Sequence, residues 1–544
     1  MVGVAGKSQA CNTCRERRLK CDLRRPFCRK CVKAKRECTG YDRGGRVFVN
    51  RSLSSPSANA LSVLSGVRTS DQPQEAPKEA STSSTSEAEL YRLFSNAPTN
   101  TPEFRKHSVE LLEATYLPKH VNAETRHGSF SWVYGLTDLI KPSRSLDTSL
   151  FAFCLAQLHV TGTGTASLYQ CLDQYNTALH YLCLDLDDQE SRVQEETLAA
   201  IIIVSTCELF VCPGQNSWSI HAHGIAEILR LREPGTENTP AWRHLITRMR
   251  IVCTLEALTK RQGQIILEND IWRQIVNETG FNGALDEVYI MIADIPTMLG
   301  QAVTLSSIRD PDIFLKESAV VAQSMLAMVK SVEFWHDEFC KASPTPRYWS
   351  VPSSAANPAD INVATKVFPS CFEFESLSAA NPVAMCWAIA AQLYSNIIQI
   401  HDLVEVRLGC HIALGDMLAQ ADTTAVDAAG SSFVVSNLPF TADKDQFIED
   451  ITSQGTRMAR YVCQSLEYFH RTEMGTYGGH STTYPCWSAR QYFRLHPGHE
   501  REWSWLKSMH KMESPGTRWG LSMMTFADID EPLSGFTRPV KLYP

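Results

Sequence analysis

The chain has 544 residues, 44% of them hydrophobic and 20% charged, with a formal net charge of −7 at pH 7. That length and apolar content exclude a wholly disordered or low-complexity protein and leave room for one or two buried cores. The charge is unevenly placed: residues 1–51 hold fifteen Lys/Arg and four Asp/Glu, a balance of +11, which leaves −18 on residues 52–544.

Residues 1–8 are expected to be a disordered start. Residues 1–7 contain no apolar run of the kind a secretory signal needs, and Val2 is not the glycine that N-myristoylation requires. Six cysteines follow: Cys11, Cys14, Cys21, Cys28, Cys31 and Cys38, the unit C-x2-C-x6-C twice, offset by 17 residues. Thiolates are soft ligands suited to zinc, and a structural zinc takes four of them in a tetrahedron. Six thiolates are too many for one ion and enough for two if two sulfurs bridge. The spacing therefore predicts a two-zinc, six-thiolate cluster. A disulfide framework is the alternative, but it belongs to small secreted domains, and no secretory signal is expected here.

The cluster itself is formally −2, which the surrounding basic residues more than offset. A basic, metal-bearing head on an acidic body is the electrostatic footprint of nucleic-acid binding. With few large apolar side chains (Leu19, Leu23, Phe27, Val32), the head has too little core to fold by burial alone, so metal binding and folding are expected to be one event.

The run from Cys11 through Cys14, Arg15, Arg17, Arg18, Leu19, Lys20 and Cys21, with Pro26 two residues before Cys28, resembles the fungal zinc binuclear cluster (Zn2Cys6) transcription factors of the galactose-regulator type. The resemblance covers about residues 8–43 and places the DNA-binding domain at 9–43. It implies a short helix in each half and two zinc ions, with Cys11 and Cys28 bridging. Cys14 and Cys21 would complete one ion, and Cys31 and Cys38 the other. It also implies that Lys20, just before the third cysteine, reads guanines of a CGG triplet in the major groove. Lysine and arginine donors suit guanine O6 and N7. Leu19 stands where the family often has a base, which puts one contact in doubt. Arg15, Arg17, Arg18, Arg24, Arg25 and Lys30, with Arg29, Lys33, Lys35 and Arg36, are expected mostly on phosphates.

Residues 44–86 are expected to form a disordered linker: 52–86 contain eleven Ser, three Pro and no aromatic residue. Many members of the resembling family follow the cluster with a dimerising coiled coil. Here Leu53, Leu61 and Leu64 fall short of three heptads, and Pro56 and Gly66 interrupt them, so a homodimer through the body is left open.

From residue 87 the dominant pattern is helical. Leu168, Leu172, Tyr175, Leu179 and Leu182 form one stripe, and Trp218, Ala222, Ile225 and Leu229 another. Ala390, Leu393, Ile397 and Ile400, then Ile448, Ile451, Met458, Val462, Leu466 and Phe469, make two more. About a dozen helices are expected, with disordered insertions at a Pro/Ser/Ala-rich stretch near 343–381 and a polar one near 420–443. The apolar run 198–212, with Glu208 inside it, is too short for a bilayer and is expected to be a buried helix. No membrane segment is expected elsewhere. The fold class is thus a small zinc-stabilised cluster with two short helices, followed by a large all-α domain over 87–525 and a tail over 526–544.

The body also resembles the regulatory domain that follows the zinc cluster in many fungal transcription factors. The resemblance rests on 198–210, on Trp218, His221, Gly224, Ile228, Leu229 and Arg230, and on the stretch from Trp487 to Trp519. It implies control of activity, localisation or partner binding. His221 and Gly224 are expected to be packing residues.

No G-x-S-x-G, H-E-x-x-H, Walker A or G-x-G-x-x-G motif occurs, and His221 and His223 fall on different helix faces, so no enzyme is expected. The twelve cysteines from Cys154 to Cys486 contain no C-x2-C pair and are expected to be small buried hydrophobes. The function expected is a nuclear, sequence-specific DNA-binding regulator of RNA polymerase II transcription. Its partners would be double-stranded DNA with CGG-containing sites and the transcription machinery or co-regulators. The alternative is a repressor or helical recruiting scaffold that uses the cluster only as a DNA tether. Phe526, Asp528, Asp530 and Glu531 are the candidates for an acidic activating segment.

Overall fold

A computed structural model of the chain describes residues 101–119, 130–162, 165–211, 217–231, 239–261, 283–360, 365–408, 423–426, 432–435, 444–512 and 516–520, together with residues 13, 14, 21, 31, 33, 34, 92 and 96. The chain divides into two compact units, residues 1–62 and 63–544. The linker expected at 44–86 and the tail with Phe526 lie wholly or almost wholly outside the described residues.

The second unit is helical. In chain order it runs α1 (Pro102–Thr115), α2 (Ser131–Gly135), α3 (Arg144–Val160), α4 (Leu168–Asp187), α5 (Glu195–Val211), α6 (Ser217–Leu231), α7 (Pro240–Lys260), α8 (Ala284–Met291), α9 (Ile295–Thr304) and α10 (Pro311–Lys341). A strand pair, β1 (Tyr348–Pro352) and β2 (Ser370–Phe374), precedes the longest helix, α11 (Leu377–Leu408). Then come β3 (Thr423–Val426), β4 (Ser432–Val435), α12 (Lys444–Phe469), α13 (Gly475–Ser481), α14 (Thr483–Leu495) and α15 (Glu500–Ser508).

Local chemistry starts these helices. Thr101, Ser143, Thr239 and Asp310 each accept a backbone N–H from the first turn that follows. Proline then takes the first position of α1, α7 and α10, where its missing N–H costs nothing. Ser167 and Gln170 form a reciprocal capping box at the start of α4.

The predicted stripes face inward. Tyr175, Leu179 and Leu182 of α4 are buried, as are Ala222, Ile225 and Leu229 of α6 and Ile451, Met458, Val462, Leu466 and Phe469 of α12. The run expected as a buried helix is α5, where Leu198–Val204 is buried without interruption. The hub is α11, which packs against α8, α10, α12 and α14. Its residues from Ala379 to Ile398 are all buried. A helix enclosed on every side must be small or apolar around its whole circumference, and the alanines at 379, 380, 384, 388, 390 and 391 let its neighbours approach. α11 is long and apolar enough to cross a membrane, and its burial at the centre of the body accounts for both properties.

The stretch near 343–381 corrects the expectation of a disordered insertion. β1 and β2 pair antiparallel there, with Tyr348 opposite Phe374 and Ser350 opposite Phe372. Tyr348, Phe372 and Phe374 close on Trp387 of α11, with ring centroids 5.2, 5.3 and 6.2 Å away. Glu467 of α12 accepts the Ser353 hydroxyl at 2.8 Å and the Ser354 backbone N–H at 3.0 Å, while Asn357 donates to the Trp505 carbonyl at 2.9 Å. Proline and serine signalled only the end of helix. The aromatic residues at alternate positions carry the order. The second expected insertion, near 420–443, likewise contains a paired ribbon, β3 antiparallel to β4. The body is therefore mainly, not purely, helical.

Candidate metal centre

In the amino-terminal unit, Thr13 and Cys14 are helical, as are Cys31 and Lys33 seventeen and more residues on. Cys14 and Cys31 hold equivalent places in the two C-x2-C-x6-C repeats. Both are buried, at 2% and 4% exposure, and their Sγ atoms lie 3.8 Å apart. A disulfide would need about 2.05 Å. In the ligand assignment that the resemblance implies, Cys14 and Cys31 complete different ions, so their 3.8 Å approach brings the two half-sites together without marking a shared zinc. Burying two thiols together in a segment with so little apolar core is otherwise unproductive, and the donor set fits zinc. Cys21 is half-buried and Lys33 is exposed. Cys11, Cys28, Cys38, Lys20, Arg15, Arg17, Arg18, Arg24, Arg25 and Lys30 lie outside the described residues.

The body places its own polar residues with more purpose than its sequence suggested. Glu208, the charge inside the apolar run, meets His221 of α6, whose Nε2 lies 2.9 Å from its carboxylate. His221 is buried and His223 exposed, so the two do not converge. His221 is a packing residue as expected. No such reason emerges for Gly224, where an added Cβ would meet nothing within 4 Å.

Three further groups went unnoticed in the sequence. Arg105 of α1 pairs with Asp147 of α3 at 2.8 Å and also donates to the carbonyls of Leu139 and Lys141, tying down the connection before α3. Arg250 of α7 pairs with Asp286 of α8 at 2.7 Å. Arg248, one half-turn earlier, points instead at His480 of α13. The one available signal was charge inside an apolar helical pattern, as in Arg248-Met249-Arg250. Eight of the body cysteines (154, 171, 207, 253, 371, 386, 463 and 486) are buried, and burial pushes up the thiols of Cys154, Cys171, Cys253, Cys371, Cys386, Cys463 and Cys486, those of Cys171, Cys253, Cys371 and Cys486 to about 12. They are inert packing groups.

A basic head with a buried thiol pair and a helical body define a two-part protein whose head carries a candidate metal cluster. Comparison with known proteins makes this specific. Residues 9–46 match the fungal Zn(2)-Cys(6) binuclear cluster domain and residues 87–394 the fungal specific transcription factor domain. The chain belongs to the fungal zinc-cluster transcription factor family, and neither matched domain is an enzyme. Among curated proteins, it is 29% identical over 160 residues to an uncharacterized transcriptional regulatory protein of Schizosaccharomyces pombe, a match covering 29% of this chain and 25% of the relative. It is 61% identical over 31 residues to transcriptional regulatory protein moc3 of the same yeast, 6% of each chain. These matches span a quarter or less of the relatives' length. No solved structure matches the chain.

Proposed function

We propose that the protein is a nuclear, sequence-specific DNA-binding regulator of RNA polymerase II transcription. Two zinc ions would be held by Cys11, Cys14, Cys21, Cys28, Cys31 and Cys38, with Cys11 and Cys28 bridging. When bound, zinc supplies structure, fixing the two halves of a segment that lacks a core of its own. Lys20 would donate to guanine O6 and N7 of a CGG triplet, while Arg15, Arg17, Arg18, Arg24, Arg25 and Lys30 would meet phosphates and set the register. The observation that carries this reading is the repeated six-cysteine unit inside a +11 segment. The buried Cys14–Cys31 pair supports it.

The test is binding of the full-length protein to a CGG-containing duplex and to a scrambled one. Lys20→Ala is expected to cost about 1–3 kcal/mol on the CGG duplex alone. Equal weakening on both duplexes would make Lys20 a phosphate contact. Fusing residues 87–544 to an unrelated DNA-binding domain separates activation from repression.

A further inference from the structure

Two of the buried arginines in this body pair with acids: Arg105 with Asp147, and Arg250 with Asp286. Arg248 differs from both. It is 4% exposed, yet among the described residues no carboxylate lies within salt-bridge reach of it, and its Nε has no acceptor. Its Nη2 lies 3.2 Å from His480 Nε2. A guanidinium can only donate, so Nε2 must be the bare nitrogen and the ring proton must sit on Nδ1. That proton is donated to the Tyr116 hydroxyl, 2.8 Å away, which leaves the Tyr116 O–H turned toward another acceptor. The Trp132 indole, 5.8 Å from the Arg248 guanidinium, is buried with its own N–H unaccepted. Two neutral donors, the Tyr116 O–H and the Trp132 N–H, thus lie in the neighbourhood of one fixed positive charge, with no carboxylate within salt-bridge reach of it among the described residues.

His480 does not supply a second charge. Burial, reinforced by the Arg248 cation, holds its imidazole well below its ordinary range. Water could satisfy the neutral donors but would leave the guanidinium charge unbalanced in the interior, where an isolated ion is most costly. An anion would do both. A single cation matches a single negative charge better than a phosphate dianion. The surroundings are aromatic: Phe153 and Phe210 lie 5.0 and 6.3 Å from the Tyr116 ring. We propose that the body binds a small organic monocarboxylate with an apolar or aromatic remainder at this site, its carboxylate on Arg248, Trp132 and Tyr116. The proposal concerns the body alone and stands whether or not the head binds DNA as described above.

Benzoate tests it, with benzyl alcohol as the neutral isostere and inorganic phosphate as the dianion, all at constant ionic strength. Thermal melting of the full chain is expected to show a saturating rise in Tm of roughly 3 °C with benzoate and none with the other two. Arg248→Met should abolish that rise and, with the unbalanced charge gone, melt at or above the wild type in buffer. Trp132→Phe removes one donor and should raise the half-saturating benzoate concentration about tenfold. The site is refuted if benzoate leaves the wild-type Tm unchanged, or if the rise is the same in wild type and both variants.

Discussion

Removing one partner of the Arg250–Asp286 pair is expected to be far worse than removing both. The pair spans α7 and α8, its atoms 2.7 Å apart and its side chains 2% and 1% exposed. Two unit charges about 4 Å apart attract by about 4 kcal/mol at an effective dielectric of about 20. Taking each ion out of water costs several kcal/mol, so the intact pair nets close to zero. Burial pulls the Arg250 guanidinium below its ordinary range while Asp286 pushes it back, the same opposition seen from one partner. Asp286→Ala leaves a buried guanidinium without its acid and should destabilise the body by about 3–5 kcal/mol. Arg250→Met with Asp286→Leu replaces both charges by apolar volume and should fall within about 2 kcal/mol of the wild type. Urea unfolding followed by tryptophan fluorescence on the wild type, Arg250→Met, Asp286→Leu and the double variant closes the cycle, with Asp286→Ala measured beside them. Additive single and double variants, or an Asp286→Ala cost below about 1 kcal/mol, would refute the reasoning.

Zinc removal from the full chain should abolish binding to a CGG duplex while leaving the helical circular dichroism of the body intact; loss of both together would contradict an independently folded head. Gly475 has φ +63° and ψ −164°, and an added Cβ would overlap the carbonyl oxygens of Tyr116 and Leu117. Gly475→Ala should therefore cost about 3 kcal/mol or more in thermal unfolding. Burial holds His470 and His496 down to about 4. The unfolded chain then takes up protons first, so stability is complete above about pH 6.5 and falls as pH drops toward 4. Each histidine contributes a slope of about 1.4 kcal/mol per pH unit. Urea midpoints at pH 7, 6 and 5 should show this decline, and replacing both with glutamine should flatten it.

The helical stripes were legible because amphipathic helices repeat their apolar residues at a fixed interval, and most residues of the four stripes named in the sequence are buried, with Leu168, Leu172 and Ile448 half-buried. The aromatic hairpin was not. Tyr348 and Phe374 are far apart in sequence, and only their pairing opposite Trp387 turns scattered rings into a packed layer. Serine and proline in the same stretch pointed toward disorder because composition measures the lack of helix and not the presence of contacts. The zinc-cluster domain was the most legible part, since a repeated cysteine spacing is a local feature of the chain and the domain match falls on it, at residues 9–46.

The sequence by itself determined the six-cysteine repeat, the +11 head and the helical class of the body, because ligand spacing, net charge and periodicity are all local properties of a chain. The tertiary structure alone decided which buried charges have partners. Arg248 and Arg250 stand two residues apart on one helix, yet one meets Asp286 from α8 and the other meets His480, 232 residues away. Partnership of that kind depends on which distant elements converge, and no local pattern encodes it.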